Sequence, residues 1–433
     1  MSRPGPTRLH AGSRAHPPLF LTGIRPGLHR MFRALDVLGH PEESFASVIV
    51  GGTNGKGSVS AMMASALQCG GHRTGLYTSP HLVHVRERVQ VNGRPVGSSL
   101  WAWATDKVHQ LARHHRLRLT EFEVQTLVCF LIFERAKVEI AVLEVGLGGR
   151  LDAVNAVAAP ELSVITSIGL DHTDWLGPTL RHIYLEKRGI ARSGTPLVQD
   201  LPLSLQAEAN RFATSHGVPS LTLGHEIRWE PVRSDRKSLG QAIRVWGPDG
   251  IPQKIHIPFW GLHQARNGAL AYSALQLLSQ RGWRLSDRAV HEGLTRARWP
   301  GRFDVVQWIP PVVLDGAHNP DAARALAEAW RASPWGRQRA TLIFACLKDK
   351  AVKPMMEALA PIAARVIVTS LSSDRARDVG ELVKVWEGRL PTTSAPHFIE
   401  AWKRAQSHSA GPILITGSLY LVGEALKYLR RRK

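Results

Sequence analysis

The chain of 433 residues is 44% hydrophobic and 21% charged, an ordinary balance for folded domains, and it is longer than one core usually supports, so two or three domains are expected. Lys+Arg 55 against Asp+Glu 35 gives a formal net charge of +20, which suits anionic ligands; only 430–433 forms a basic run, too little for a nucleic-acid stripe. Cys69, Cys129 and Cys346 stand singly in apolar segments, which excludes a disulfide framework and a zinc site, and no apolar run approaches the ~18 residues of a membrane helix. The expectation is a reduced, cytoplasmic, monomeric protein with small-molecule substrates and neither nucleic acid nor membrane as partner.

Residues 1–27 are arginine-rich and broken by Pro4, Pro6, Pro17, Pro18 and Pro26, which reads as a flexible lead-in. The stretch 45–80 then reads as a buried strand over 47–50, a glycine-rich turn over 51–57, a helix opening at Ser58, a stop at Gly70 and Gly71, and a second strand ending at Tyr77. Such a turn strings backbone N–H groups around a concavity at a helix N-terminus, where unpaired donors and the helix dipole favour phosphate. Lys56 adds a point charge for the outer phosphates, and Ser58 a hydroxyl for Mg2+. The usual phosphate-loop pattern puts that hydroxyl directly after the lysine, whereas here Gly57 intervenes.

A hairpin over 87–96 turns at Asn92 and Gly93, and a helix is expected over 98–115. Thr120 and Glu123 form a capping box ahead of a helix that carries Val124, Leu127, Val128, Leu131 and Ile132. A continuous apolar strand over 139–145 runs into GLGGRLD (146–152), and another over 162–168 runs into GLDHTD (169–174). Both polar clusters and the phosphate loop follow the C-terminal ends of strands, the ligand-binding edge of an open parallel sheet, so the three loops are expected to converge. A helix over 179–191, an Arg- and Pro-rich region to Pro258 without clear period, and helices over 262–280 and 286–296 follow. WPGR (299–302) marks a boundary, after which strands over 312–314, 341–344, 366–369 and 413–415 alternate with helices, the first from Asn319 and the last from Ser418. The expected fold is α/β: a P-loop-containing parallel-sheet ATPase domain over 28–298, then a smaller doubly wound, Rossmann-like domain over 299–433.

Nine segments in order, GGTNGKGS (51–58), LYTSPHL (76–82), EVGLGGRLDAVN (144–155), GLDHTDWLG (169–177), EKRGI (186–190), GLHQARNGA (261–269), PGRFD (300–304), LDGAHNP (314–320) and TGSLY (416–420), resemble the folylpolyglutamate synthase/dihydrofolate synthase family of the ATP-dependent Mur ligase group. The resemblance spans about 28–425 and implies an amide ligase: ATP phosphorylates a carboxylate, and the amine of L-glutamate attacks the acyl phosphate. The acid would be dihydropteroate or a reduced folate. It further implies that Asn54, Gly55, Lys56, Gly57 and Ser58 hold the ATP phosphates, and that Asn267, Arg302 and Asp315 reach the nucleotide from the helical segment, the joint and the C-terminal domain. Ser58, Ser79 and Glu144 would serve one Mg2+, and His172 a second, with Lys187 expected to be carbamylated beside it. A nearby metal or Arg188 could favour the neutral amine that carbamylation needs. Lys56, Glu144, His172 and Lys187 are the catalytic candidates, and K+ is a further cation the resemblance leaves open. Thr120, Phe122, Glu123 and Asp152 match segments that contact the pterin-bearing substrate, and His318 is grouped with them. Where bifunctional relatives show an acidic stretch, this chain reads Arg25, Pro26, Gly27, Leu28. Two other readings are a Mur ligase acting on a UDP-muramyl precursor and a P-loop NTPase that binds nucleic acid.

Overall fold

The computed structural model describes residues 20–21, 23–232, 240–246, 250–408 and 411–430; the expected lead-in therefore lies almost wholly outside the described residues. The strand Ala46–Gly51 stands inside an eight-stranded sheet of order Ser220–Thr222, Leu197–Gln199, Leu162–Ile165, Ala46–Gly51, Ile140–Glu144, Thr74–Tyr77, Val89–Val91 and Arg94–Pro95. Strands up to Thr74–Tyr77 are parallel, and the last two form the expected antiparallel hairpin on the edge. Successive side chains of a strand point to opposite faces, so an unbroken apolar run serves two cores at once. Ile49 joins Leu143, Phe130 and Phe133 on one face, while Val48 and Val50 join Val142, Met62 and Leu275 on the other.

The region without clear period supplies the strand Leu197–Gln199, the helix Leu203–Ser215, the edge strand Ser220–Thr222 and a separate antiparallel sheet of Trp229–Val232, Gln241–Trp246 and Pro252–Ile257. Beyond it the chain forms a six-stranded sheet of order Asp304–Trp308, Pro311–Leu314, Ile413–Thr416, Ala340–Phe344, Ala363–Thr369 and Thr392–Ala395, parallel but for its first strand. Its faces bury Val313, Leu342 and Phe344 with Trp330 and Trp386, and Val312, Leu314 and Ile343 with Trp402 and Leu421. The architecture is α/β, as expected, with an antiparallel hairpin at one edge of the eight-stranded sheet and an antiparallel strand at one edge of the six-stranded sheet. Trp260, from the segment leading into the helix Leu262–Gln280, is buried among the residues of the second sheet's core, and Leu82 packs against its other face.

Some boundaries differ from the sequence reading. The helix after the glycine-rich turn is Lys56–Cys69, opening before Ser58, because Gly55 adopts φ 89° and its carbonyl accepts the Val59 N–H at 3.0 Å. The expected helix over 179–191 is a helix Leu180–Lys187 that tightens into a 3-10 turn, Arg188–Ile190. Cys69 is partly exposed rather than in the core, whereas Cys129 and Cys346 are buried. No helix among the described residues is long and apolar enough to cross a membrane.

The helix Lys56–Cys69 lies with its backbone against the helix Asp287–Arg296. Ser65 Oγ donates to the Gly293 carbonyl at 2.7 Å, and a Cβ placed on Gly293 would stand 2.2 Å from Ala66 Cα. Backbone cannot yield there as a flexible side chain would, so Gly293→Val is expected to lower stability by about 1–3 kcal/mol. Chemical denaturation of the variant against the parent checks this, and unchanged stability would show that the helices separate freely.

Candidate active site

A cavity of about 330 Å³ opens where the C-terminal ends of the central strands meet the first loops of the second sheet. From the central part it is lined by Asn54, Gly55, Lys56, Gly57 and Ser58, by Ser79, by Glu144, by His172 and by Lys187. The helix Leu262–Gln280 contributes Asn267; Arg302, Asp315 and His318 come from the joint and the second sheet. The three loops expected to converge do so.

Several contacts hold the phosphate loop in shape. Lys56 Nζ donates to the carbonyls of Gly52 and Thr53, both at 3.1 Å. Ser58 Oγ accepts from Gln264 Nε2 at 3.2 Å, and Gln264 Oε1 accepts from Asn267 Nδ2 at 3.0 Å. Gln264 and Asn267 are three apart and so share one helix face. Thr53 Oγ1 donates to the Gly169 carbonyl at 3.1 Å, tying the loop to the 169–174 segment.

Glu144 ends its strand with only 4% of its surface exposed. Its Oε2 accepts the Ser79 N–H at 3.1 Å, and burial pushes its carboxyl up to about 7 against the opposing pull of Lys56. Lys187 is equally buried and donates to the Gly52 carbonyl at 2.7 Å. Burial, then repulsion from Lys56, brings its ammonium down to about 7. The expected helper Arg188 is not the cause: it lies 3.8 Å from Glu208 and stacks over Phe212. His172 has φ 51°, its N–H donates to Asp171 Oδ1 at 3.0 Å, and burial lowers its pKa, which favours the neutral ring. Asp171 is also 3.7 Å from Lys350 of the second sheet.

On the far side, Asp315 accepts from the Phe303 and Ala317 N–H groups, each at 2.8 Å, while burial raises its pKa. It fixes the loop, and the cap of the helix Pro320–Ala332 is Asn319, whose Oδ1 accepts from Ala322 N at 2.8 Å. Asn319 Nδ2 also donates to Asn54 Oδ1 at 3.3 Å, across the two halves of the site. His318 Nδ1 is 2.8 Å from the Gly316 carbonyl and must donate to it, which leaves Nε2 as an acceptor; burial lowers this ring to about 4. Arg302 lines the cavity with neither hydrogen bond nor ion pair among the described residues.

Thr120, Phe122, Glu123 and Asp152 do not line this cavity. Thr120 and Glu123 form the capping box, at 3.2 Å and 2.6 Å, and Glu123 is 2.8 Å from Arg30. Phe122 packs on Tyr77 and against Gly146, and Asp152 accepts from the Leu147 and Val154 N–H groups. Phe122 and Asp152 thus lie against the 146–148 loop, while Thr120 and Glu123 are taken up by the helix cap and Arg30. The sequence reading missed Gln264, Asp171, Asn319 as a bridge, and Lys350; the helical spacing of Gln264 from Asn267 was a usable signal, whereas nothing local marks Lys350.

Lys187 has a consequence for stability. Between about pH 7 and 10.5 the unfolded chain holds a proton on this amine that the folded chain lacks, so its penalty is complete below about 7 and fades as pH rises toward 10.5. Lys187→Met, in CO2-free buffer, is expected to melt several degrees above the parent at pH 7, with the gain shrinking toward pH 10. A lower melting point at pH 7 would contradict the burial penalty.

Two family models match the chain: the Mur ligase middle domain over residues 50–275 and the Mur ligase glutamate ligase domain over 301–419. The dihydrofolate synthase/folylpolyglutamate synthase of Bacillus subtilis is 35% identical over 94% of this chain and 96% of its own length. That of Escherichia coli K12 is 31% identical over 89% and 86%. Among solved structures, E. coli FolC in complex with DHPP and ADP superposes with a TM-score of 0.85 at 29% identity, covering 94% of each chain. Mycobacterium tuberculosis folylpolyglutamate synthase complexed with ADP and AMPPCP gives 0.85 at 30% identity, over 94% of this chain and 96% of that one. A bifunctional folylpolyglutamate synthase/dihydrofolate synthase with Mn, AMPPNP and L-glutamate bound gives 0.81 at 28% identity, over 94% and 95%. The chain belongs to the Mur ligase family, in its dihydrofolate synthase/folylpolyglutamate synthase branch.

Proposed function

We propose that this protein is an ATP-dependent amide ligase that joins L-glutamate to dihydropteroate, to the glutamate tail of reduced folates, or to both. The observation that carries the reading is one cavity lined together by the glycine-rich loop 52–58, the Lys56 ammonium and the Arg302 guanidinium from the joint, which makes no hydrogen bond or ion pair among the described residues. A site with two cations and a row of loop N–H groups is built for a polyphosphate. In the reaction, a substrate carboxylate oxygen attacks the γ-phosphorus, the bridge to the β-phosphate breaks, and ADP leaves. The glutamate amine then attacks the acyl carbon, the carbon–oxygen bond to phosphate breaks, and the amine gives up a proton. The loop N–H groups and Lys56 hold the phosphates, Arg302 neutralises charge as it spreads over the transferring group, and Gln264 with Asn267 keeps Ser58 and Gly55 in place.

The donor set fits divalent ions. Glu144 is a buried carboxylate with a raised pKa, beside the hydroxyl-bearing Ser58 and Ser79, an arrangement that a hard cation would favour. We assign Ser58, Ser79 and Glu144 to one Mg2+, and His172 with carbamylated Lys187 to a second. When bound, the ions would neutralise phosphate oxygens. The near-neutral pKa of Lys187 supplies the free amine that carbamylation needs. We assign Phe122, Thr120, Glu123 and Asp152 to the side that receives the pterin-bearing acid, and His318 to the glutamate side; no K+ site is assigned. The division at 298/299, a monomeric state, a cytoplasmic location and the lack of a nucleic-acid partner complete the proposal.

The direct test offers ATP and glutamate with dihydropteroate, tetrahydrofolate or a UDP-muramyl peptide in separate reactions. Phosphate release is expected with one or both folate acids and not with the muramyl substrate; the reverse pattern would overturn the reading. A second expectation follows from Glu144. Its carboxyl stays protonated below about 7, so Mn2+ affinity should rise between pH 6 and 8, by up to roughly tenfold per unit below that value. Glu144→Gln should flatten the profile, as read by water-proton relaxation of Mn2+; an unchanged profile would remove Glu144 from the metal set.

A further inference from the structure

The glycine between Lys56 and the hydroxyl of Ser58 has a structural partner. A Cβ on Gly57 would stand 2.5 Å from Trp299 Cζ2 and 2.8 Å from its indole nitrogen. The Trp299 ring therefore rests on the backbone of the first turn of the helix Lys56–Cys69, where any side chain would push it away. Trp299 is partly buried and packs against the core that contains Val59, Met62 and Leu294. It lies three residues before Arg302. The helix Asp287–Arg296 reaches this point by running along the loop helix in the opposite direction, clamped at Gly293 on Ala66. After the joint, the Gly301 carbonyl accepts the Gly316 N–H at 2.8 Å, which engages the second sheet beside Asp315.

We propose that Trp299 is a positioning residue for the phosphate-transfer step, setting through its seat on Gly57 the distance between the phosphate loop and the Arg302 guanidinium. Two contacts fix the approach of the joint, Gly293 on Ala66 and Trp299 on Gly57. With the second removed, the segment 297–302 stays tied to the second sheet through Gly301 and Gly316 but loses its seat on the phosphate loop, and Arg302, which makes no hydrogen bond or ion pair among the described residues, loses its register with that loop. The extra glycine in GGTNGKGS is then a steric requirement of the joint rather than of the phosphates. A displacement near 1 Å at such a group is enough to cost on the order of 100-fold in rate.

The inference rests on the ATP-dependent reading, and the test separates the two. In the full chain, Trp299→Ala is expected to fold, bind an ATP analogue with little change, and lose about 10- to 100-fold in kcat with a small change in KM for ATP. Gly57→Ala alone should be poorly active, and adding Trp299→Ala should restore part of the loss, since the clash is removed. In an Arg302→Ala background, Trp299→Ala should cost little more, because its effect passes through Arg302. Undiminished kcat in Trp299→Ala, no rescue of Gly57→Ala, or losses that simply multiply in the Arg302→Ala background would each overturn the proposal. Failure of the parent protein itself to bind the analogue would overturn the ATP reading and this inference together.

Discussion

Two ammonium groups share one carbonyl. Lys56 and Lys187 both donate to Gly52 O, at 3.1 Å and 2.7 Å, in a place where Lys187 is almost fully covered. Burial disfavours the Lys187 ammonium first and the like charge of Lys56 adds to it, and the outcome is the lowered pKa of Lys187. The crowding makes the cavity a place that welcomes negative charge. Glu144 supplies only part of it, because burial pushes its own carboxyl toward the neutral form. Anionic oxygens such as those of phosphate would relieve the imbalance.

The sheet delivers these groups to one edge. Strands Ala46–Gly51, Ile140–Glu144 and Leu162–Ile165 are adjacent and parallel, so the loops that follow them emerge on the same side. The loops are then fixed by polar contacts that a core could not provide: Thr53 to Gly169, Glu144 to the Ser79 N–H, Asp152 to the Leu147 N–H. Burial of both faces through residues such as Ile49 and Val50 gives the sheet its stiffness, and the loops inherit their positions from it.

Much of this was legible in the chain, for identifiable reasons. Long apolar strands with glycine-rich exits, such as 139–145 into 146–152, declare both their type and their ligand-binding end. The Thr120 and Glu123 box was visible because its partners are three residues apart. The antiparallel sheet between 229 and 257 was not, because its alternation is short, with Ile243 and Val245 on one strand and Ile255 and Ile257 on the next, amid turn-rich sequence. Contacts between distant segments were hidden as well. No local pattern pairs Lys350 with Asp171, or Asn319 with Asn54, or explains Gly57 by a tryptophan more than two hundred residues away.

Trp260 and Leu82 come from segments that precede the second sheet in the chain yet pack into that sheet's two cores. Pulling the halves fully apart would expose both side chains to water, at roughly 1.5–3 kcal/mol for a side chain the size of leucine. The two parts are also bridged by polar contacts that are largely buried, Asn319 to Asn54 at 3.3 Å and Lys350 to Asp171 at 3.7 Å. Parting the two sheets therefore carries an apolar cost at Trp260 and Leu82 as well as the loss of these polar bridges. Salt has little purchase on this junction, because one polar bridge is between neutral amides, the other is a largely buried ion pair, and the remaining contacts are apolar.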